Sequence, residues 1–193
     1  MELKGKKIIL ASNSPRRKEL LGGLDISFTV DTLNNFEEIY DPSTPHEKIP
    51  EVLSEGKSYG FHRELSDDEI LITSDTLVLC GSEVMGKPHS REEAYDMLKM
   101  LSGREHKVIT AVSMRDCRRC MTLSDTAVVR FKDLSDSEIW YYIDNFRPFD
   151  KAGAYGIQEW IGYIGIGHIE GSFFTIMGLP VHLVYQMLLD FIS

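Results

Sequence analysis

Cysteine is scarce in this sequence and odd in number: Cys80, Cys117 and Cys120 are the only three in 193 residues. So few thiols exclude a disulfide framework and fit a reducing compartment. Cys117 and Cys120 form one Cys-x-x-Cys, but no second pair and no nearby His accompany it, so a polar turn with free thiols is the stronger reading than zinc. Positive charge is also in deficit, with 21 Lys and Arg against 30 Asp and Glu, a net charge of -9 and a pI near 5.1. Nucleic acid and anionic membranes repel such a chain on average, so neither is expected as a partner, and any phosphate binding has to be local. Long hydrophobic runs are missing too. Lys4, Lys6 and Lys7 precede only four apolar residues before Ser12, too few for a signal-peptide core or a spanning helix, and this predicts a cytoplasmic protein. There is no internal repeat, linker or low-complexity tract. With 42% hydrophobic residues the length suits one buried core, so residues 1–193 are expected to form a single domain.

What is present begins with Ile8 to Gly23. Ile8 to Ala11 read as a short buried strand, Ser14 and Pro15 fit the cap and first turn of a helix, and Gly22 or Gly23 can end it. A strand that runs straight into a helix N-terminus directs unpaired N–H groups and the positive end of the helix dipole at one place. Ser12, Ser14, Arg16, Arg17 and Lys18 crowd that place, which makes it a candidate anion site, although a plain capped helix with solvated basic residues has the same cap.

Further along, Ile26 to Val30 predict a second strand and Asn34 to Tyr40 a polar loop carrying Glu37 and Glu38. Helical spacing from Glu51 to about Glu64 includes Lys57. Ile70 to Leu79 is nearly continuous in apolar and β-branched residues, as in a central strand, yet Asp75 interrupts it. A carboxylate in such a strand is costly unless it is paired, metal-bound or at a cleft edge, so Asp75 is the charged residue most in need of a function. Gly81 to Lys87 begins like a phosphate-binding Walker loop, but Pro88 stands where a Ser or Thr hydroxyl is required. A turn at Gly81, a return strand at Val84 and Met85, and a rigid corner presenting Lys87 fit better. Ser90 with Glu93 and Ser135 with Glu138 are capping-box pairs, each opening a helix. Val108 to Met114 and Met121 to Phe131 read as a hairpin joined by the cysteine turn. Lys151 to Gln158 is broken by glycines, which allows close backbone approach. Tyr163 to Ile169 and Ser172 to Ile176 look β-like, and Pro180 opens a last helix with Val181, Val184, Tyr185, Leu188 and Leu189 on one face. Gly162, Gly165 and Gly167 do not complete a dinucleotide fingerprint, because Glu170 takes the last glycine's place.

Six stretches together resemble the Maf family of nucleoside triphosphate pyrophosphatases: Ala-Ser-Asn-Ser-Pro-Arg-Arg from Ala11, Ser-Asp-Thr from Ser74, Gly-Lys-Pro from Gly86, Leu-Ser-Gly-Arg from Leu101, Asp-Lys-Ala-Gly-Ala-Tyr-Gly-Ile-Gln from Asp150, and Met-Gly-Leu-Pro from Met177. They span almost the whole chain in the family's order. The resemblance implies a mixed α/β (α+β) fold, elongated, with a central twisted mixed sheet and a cleft between two lobes, related to the inosine triphosphate pyrophosphatases. It assigns Asp75 as the catalytic acid or base, Ser12, Arg17, Lys57 and Lys87 to phosphate binding, and Glu38 with Asp75 to a divalent cation, Mg²⁺ or Mn²⁺. Arg16, Thr76 and Gln158 match the branch associated with dTTP and UTP, as distinct from the 7-methyl-GTP branch, and so become candidate base-selecting residues. Ser54-Glu-Gly-Lys57 departs from the family's usual Ala-x-x-Lys. The implied activity is hydrolysis of dTTP and UTP to the monophosphate and pyrophosphate, in nucleotide-pool sanitation or control, with a nucleoside triphosphate as substrate and a homodimer as an allowed assembly. Two other readings share the scaffold: a pyrophosphatase for modified or purine nucleotides, and a nucleotide-binding regulator of cell division. An ionised Asp75 speaks against pure binding, since without a metal it would repel the phosphates.

Overall fold

The computed structural model of the protein describes residues 2–193. In chain order its elements are β1 (Lys7–Leu10), α1 (Pro15–Gly22), β2 (Phe28–Val30), α2 (Ile49–Tyr59), β3 (Glu69–Cys80), β4 (Glu83–Met85), α3 (Arg91–Leu101), β5 (Glu105–Arg115), β6 (Cys120–Phe131), α4 (Asp136–Phe146), α5 (Trp160–Gly165), β7 (Ile166–Glu170), α6 (Phe173–Met177) and α7 (Val181–Phe191). The strands make a mixed sheet in the order β2-β1-β3-β5-β6-β7, with β4 added to β3. β1 pairs in parallel with β2 and β3, while β4 on β3 and β7 on β6 are antiparallel. This is the mixed α/β class expected from the sequence. Among the described residues no helix is long and apolar enough to cross a membrane.

The chain divides into two compact units. The first holds residues up to Asp75 together with Thr110–Asp125 and Gly178–Ser193. Ile8, Leu10, Ile70, Leu71 and Ile72 are almost fully buried there. β1 lies between two parallel neighbours, and such strands are covered on both faces; it and the start of β3, its parallel partner, therefore read as apolar runs without alternation. Each such side chain contributes about 1.5–3 kcal/mol relative to exposure. α1 starts as read: the Ser14 hydroxyl accepts from the Arg17 N–H at 3.4 Å, Pro15 opens the first turn and Gly23 caps the end. α2 stops at Tyr59, short of the expected Glu64, because Gly60 caps it and Phe61 turns aside to bridge Asn34. α7 starts after Pro180 but buries Val184, Met187, Leu188 and Phe191, while Tyr185 and Leu189 face solvent. The shared residues Val184 and Leu188 face inward as expected, but the stripe is completed on the side of Met187 and Phe191 and not on that of Val181 and Leu189. The β5–β6 turn closes on Asp116, whose carboxylate accepts from the Arg118 and Arg119 N–H groups at 2.8 Å. All three cysteines are free.

The second unit holds Thr76–Ile109 and Thr126–Met177. Ala127, Val129 and Phe131 point inward along β6 and Thr126 and Arg130 outward, the alternation expected of a strand with one covered face. α4 carries a complete capping box between Ser135 and Glu138. At α3 only half of the box forms. Ser90 accepts from the Glu93 N–H, but the Glu93 carboxylate takes the His89 N–H. The two β-like stretches near the C-terminus are corrected by the structure. Only Ile166–Glu170 is strand; Tyr163 lies in α5, and Phe173–Met177 is helix. Gly162 lets α5 turn tightly over the Ile157 carbonyl, from which a Cβ would stand 1.8 Å, and Gly171, at φ +98, ends the strand before α6.

Candidate active site

The junction between β1 and α1 places Ser12, buried, with its hydroxyl accepting from the Ser14 N–H at 3.2 Å. Arg16 and Arg17 follow, half-buried, in the first turn of α1. The Arg17 guanidinium donates from Nε to the Gly178 carbonyl and from a terminal nitrogen to the Ser74 carbonyl, both at 2.8 Å, and the Ser74 hydroxyl donates to the same Gly178 oxygen at 3.2 Å. Arg17 therefore ties α1 to β3 at the residue before Asp75. Burial pushes its pKa below the usual range; Asp75 opposes that, Arg16 adds to it and Glu38 opposes it. These four charged groups share one electrostatic field, and a guanidinium keeps its charge in it.

Asp75 sits in β3 with its side chain only 13% exposed, and its carboxylate accepts from the Lys57 ammonium at 2.6 Å. The same ammonium lies 2.8 Å from the Glu38 carboxylate. One cation from α2 thus holds two carboxylates from a strand and a loop, which meets the cost of burying Asp75 in β3. The position of Lys57 is set one turn earlier. Ser54 and Thr73, both fully buried, exchange hydrogen bonds: the Ser54 hydroxyl donates to the Thr73 carbonyl at 3.2 Å and the Thr73 hydroxyl to the Ser54 carbonyl at 2.7 Å. Ser54 thus pins α2 to β3 two residues before Asp75.

Two carboxylates converging on one cation position are a donor set suited to Mg²⁺ or Mn²⁺, which take hard oxygens from one or two side chains and the rest from water and substrate phosphates. Among the described residues no cluster of three or more His, Cys, Asp or Glu side chains is close enough to hold a metal alone, which also leaves the Cys117–Cys120 pair without ligand partners.

The remaining expected residues belong to the second unit. Lys87 is exposed at the Gly86-Lys87-Pro88 corner, where the Gly86 carbonyl accepts from the Gly153 N–H at 3.0 Å. Gly153, at φ +68, lies against Val78, and Ala154 follows at φ +58, a left-handed conformation uncommon for a residue with a Cβ. Thr76 is half-buried next to Asp75 in the chain. Gln158 is half-buried, and its amide oxygen is shut off from solvent with no hydrogen-bond partner among the described residues.

Sequence reasoning missed the network beneath Gln158. Lys151, a lysine only 8% exposed, lies 2.8 Å from the Asp150 carboxylate and 3.1 Å from that of Glu159. The buried Tyr142 hydroxyl donates to the other Glu159 oxygen and accepts from the Gly156 N–H at 3.0 Å. Burial and the Glu159 carboxylate both push the Tyr142 phenol well above its usual pKa. Gly156 and Glu159 bracket Gln158, so this network fixes the turn that carries it. A Lys followed at once by Ala-Gly-Ala, with a Glu eight positions on, was the available clue.

Comparison with known proteins agrees in extent with the six motifs. The family model for Maf-like protein matches residues 7–191. A dTTP/UTP pyrophosphatase of Porphyromonas gingivalis is 48% identical over 191 residues, covering 98% of this chain and 96% of the relative. One from Parabacteroides distasonis is 49% identical, covering 98% of each chain, and one from Flavobacterium johnsoniae is 46% identical, covering 97% and 96%. With the match running through both compact units and nearly half of all positions shared along the whole length, the chain belongs to the Maf-like protein family.

Proposed function

We propose that this protein is a hydrolase that cleaves dTTP and UTP between the α- and β-phosphates, giving the monophosphate and pyrophosphate. The observation that carries the reading is the Lys57 ammonium held at 2.6 Å from Asp75 and 2.8 Å from Glu38. Because the family match runs through both units, residues 1–193 are taken as one functional domain.

In this reading Asp75 accepts a proton from the attacking water, and Lys57, expected from the resemblance to bind phosphate, also orients the Asp75 carboxylate. The junction at Ser12 receives phosphate oxygens through its N–H groups and the Ser12 hydroxyl, and Arg17 adds the guanidinium charge while fixing Ser74 beside Asp75. Lys87, exposed on its corner, supplies a further ammonium to the phosphates. Glu38 and Asp75 would hold a divalent cation, which when bound neutralises phosphate charge and acidifies water. Arg16, Thr76 and Gln158 select the base. For Gln158 the reading rests on the family's pyrimidine-associated motif and on the chemistry of an amide, which can accept from the N3–H that thymine and uracil offer and cytosine does not; its oxygen is closed to solvent, so contact with a base requires the side chain to turn.

The test is a panel of dTTP, UTP, CTP, GTP and modified triphosphates with Mg²⁺ or Mn²⁺ and identification of both products. Turnover of dTTP and UTP to monophosphate and pyrophosphate is expected. A diphosphate product with orthophosphate overturns the bond assignment, and preference for a purine or modified nucleotide overturns the substrate.

A further inference from the structure

We infer that Asn34 and Phe36 are positioning residues that set Glu38 against Lys57, by docking the loop that follows β2 onto the last turn of α2; the inference rests on the reading of Glu38 as an active-site carboxylate.

Glu38 lies in a stretch with very little of its own packing. From Leu33 to Ser43 every residue is exposed except Phe36, which is half-buried, and Ile39 is 67% exposed. The loop is therefore held where Phe36 and its neighbours touch α2. The Phe36 ring lies on Gly56 so closely that a Cβ there would stand 2.3 Å from the ring's Cζ. A Cβ on Gly60, one turn later, would stand 2.5 Å from the Cβ of Phe36 and 2.7 Å from the Asn34 amide oxygen. Two glycines four residues apart on one helix face thus form a flat seat for the loop. Such spacing places both on the same side of the helix.

Asn34 links that seat to the ammonium-bearing residue itself. Its amide nitrogen donates to the Lys57 carbonyl at 2.6 Å, and its amide oxygen accepts from the Phe36 N–H at 2.8 Å. The Asn35 N–H donates to the Gly60 carbonyl at 2.8 Å, and the His62 N–H to the Leu33 carbonyl at 3.3 Å. The loop and α2 are joined at both residues that deliver the ion pair: Asn34 grips the main chain of Lys57, and Phe36 stands two residues before Glu38. Gly56 is accordingly a seat for a ring and cannot carry a side chain while Phe36 is in place.

The experiment measures kcat and KM for dTTP with Mg²⁺, and the thermal midpoint, for Asn34→Ala, Phe36→Ala, Gly56→Ala, Glu38→Gln, and the pairs Asn34→Ala with Glu38→Gln and Phe36→Ala with Gly56→Ala. Displacing a reacting group by about 1 Å costs on the order of a hundredfold, so each single variant is expected to lose about ten- to a hundredfold in kcat while retaining a thermal midpoint near the parent's. A group that acts through another adds nothing once that other is gone. Asn34→Ala should leave the kcat of Glu38→Gln unchanged, and Gly56→Ala should cost nothing further once Phe36 is replaced by Ala. Full kcat in Asn34→Ala and Phe36→Ala while Glu38→Gln is impaired overturns the positioning role alone. Independent, multiplying losses in the Asn34→Ala, Glu38→Gln pair overturn it as well. Full kcat in Glu38→Gln removes Glu38 from the reaction, and both the proposed metal-binding role and this inference fall together.

Discussion

Asp75 occupies a place that a strand interior would ordinarily give to an apolar residue, and it is paired there with a lysine that it shares with Glu38. Replacing it by Asn keeps the volume and a hydrogen-bond acceptor for Lys57, but removes the proton acceptor. The expected outcome is a folded protein whose kcat falls by about 10²–10⁴, the usual contribution of a positioned base; a folded Asp75→Asn variant within a few fold of the parent would remove Asp75 from the chemistry. The base-selecting residues call for a different measurement. If Gln158 accepts from N3–H, Gln158→Ala should lower kcat/KM for dTTP and UTP by roughly tenfold to a hundredfold and leave CTP and GTP nearly unchanged, since each unmet neutral hydrogen bond costs about 1–3 kcal/mol. The same panel applies to Arg16→Ala and Thr76→Ala. A uniform drop across all four nucleotides would assign those residues to phosphate binding. Asp75 was legible in the sequence because a charge in an apolar strand is conspicuous. The resemblance placed Glu38 with Asp75 and Lys57 on the phosphates, but the shared ion pair was not legible, because nothing local to Lys57 or Glu38 says that a helix and a loop will meet at one ammonium.

Among the elements, those with their own chemical punctuation were readable from residues alone. Ser14-Pro15 and Ser135-x-x-Glu138 each carry the cap that starts their helix, and the turn after β3 carries the glycine it needs, Gly81 at φ +61. Elements decided by tertiary burial were not. Phe173 to Met177 has strand-like composition, yet Thr175, Ile176 and Met177 are buried on a short helix. The turn at Gly156 to Glu159 is another such element, since the groups that fix it come from Lys151 and from Tyr142 on α4. Tyr142→Phe would keep the ring's packing and strip the hydroxyl, leaving the Gly156 N–H and one Glu159 oxygen without their partner. We expect a loss of about 1–3 kcal/mol in unfolding free energy. The same variant should narrow the ratio of dTTP to CTP turnover, as the Gln158 turn loosens. Denaturant unfolding with the nucleotide panel checks both; unchanged stability and unchanged selectivity together would show that the hydroxyl does not fix the turn.

At the scale of the whole molecule the composition set the class, through an apolar fraction large enough for extensive burial and a charge too negative for nucleic acid, but it gave no hint of a neutral histidine in the core. His106 is 2% exposed, with one ring nitrogen 2.7 Å from the Tyr155 hydroxyl and the other without a hydrogen-bond partner among the described residues. Phe131 stacks on it and Tyr155 meets it edge-on. Burial pulls its pKa from the ordinary 6.5 down to about 4. The unfolded chain therefore binds a proton more readily than the native one, and stability must fall as pH drops from 6.5 to about 4. At about 1.4 kcal/mol per pKa unit, a shift of this size removes about 3 kcal/mol by the bottom of that window and nothing more below it. The carboxylates act lower. Glu69, held near 2 mainly by Arg63, and Glu138, held near 2 mainly by Lys132, lose their stabilisation only as pH falls from about 4.5 toward 2. The two windows barely overlap, so they can be separated by substitution. His106→Gln keeps a hydrogen-bonding partner for Tyr155 and does not titrate. Its unfolding free energy, followed by chemical denaturation from about pH 7.5 to about pH 4.5, should vary less steeply than the parent's, with the two curves converging as the pH falls. Parallel curves across that range would mean that His106 takes up its proton in the folded state and that the core tolerates the charge.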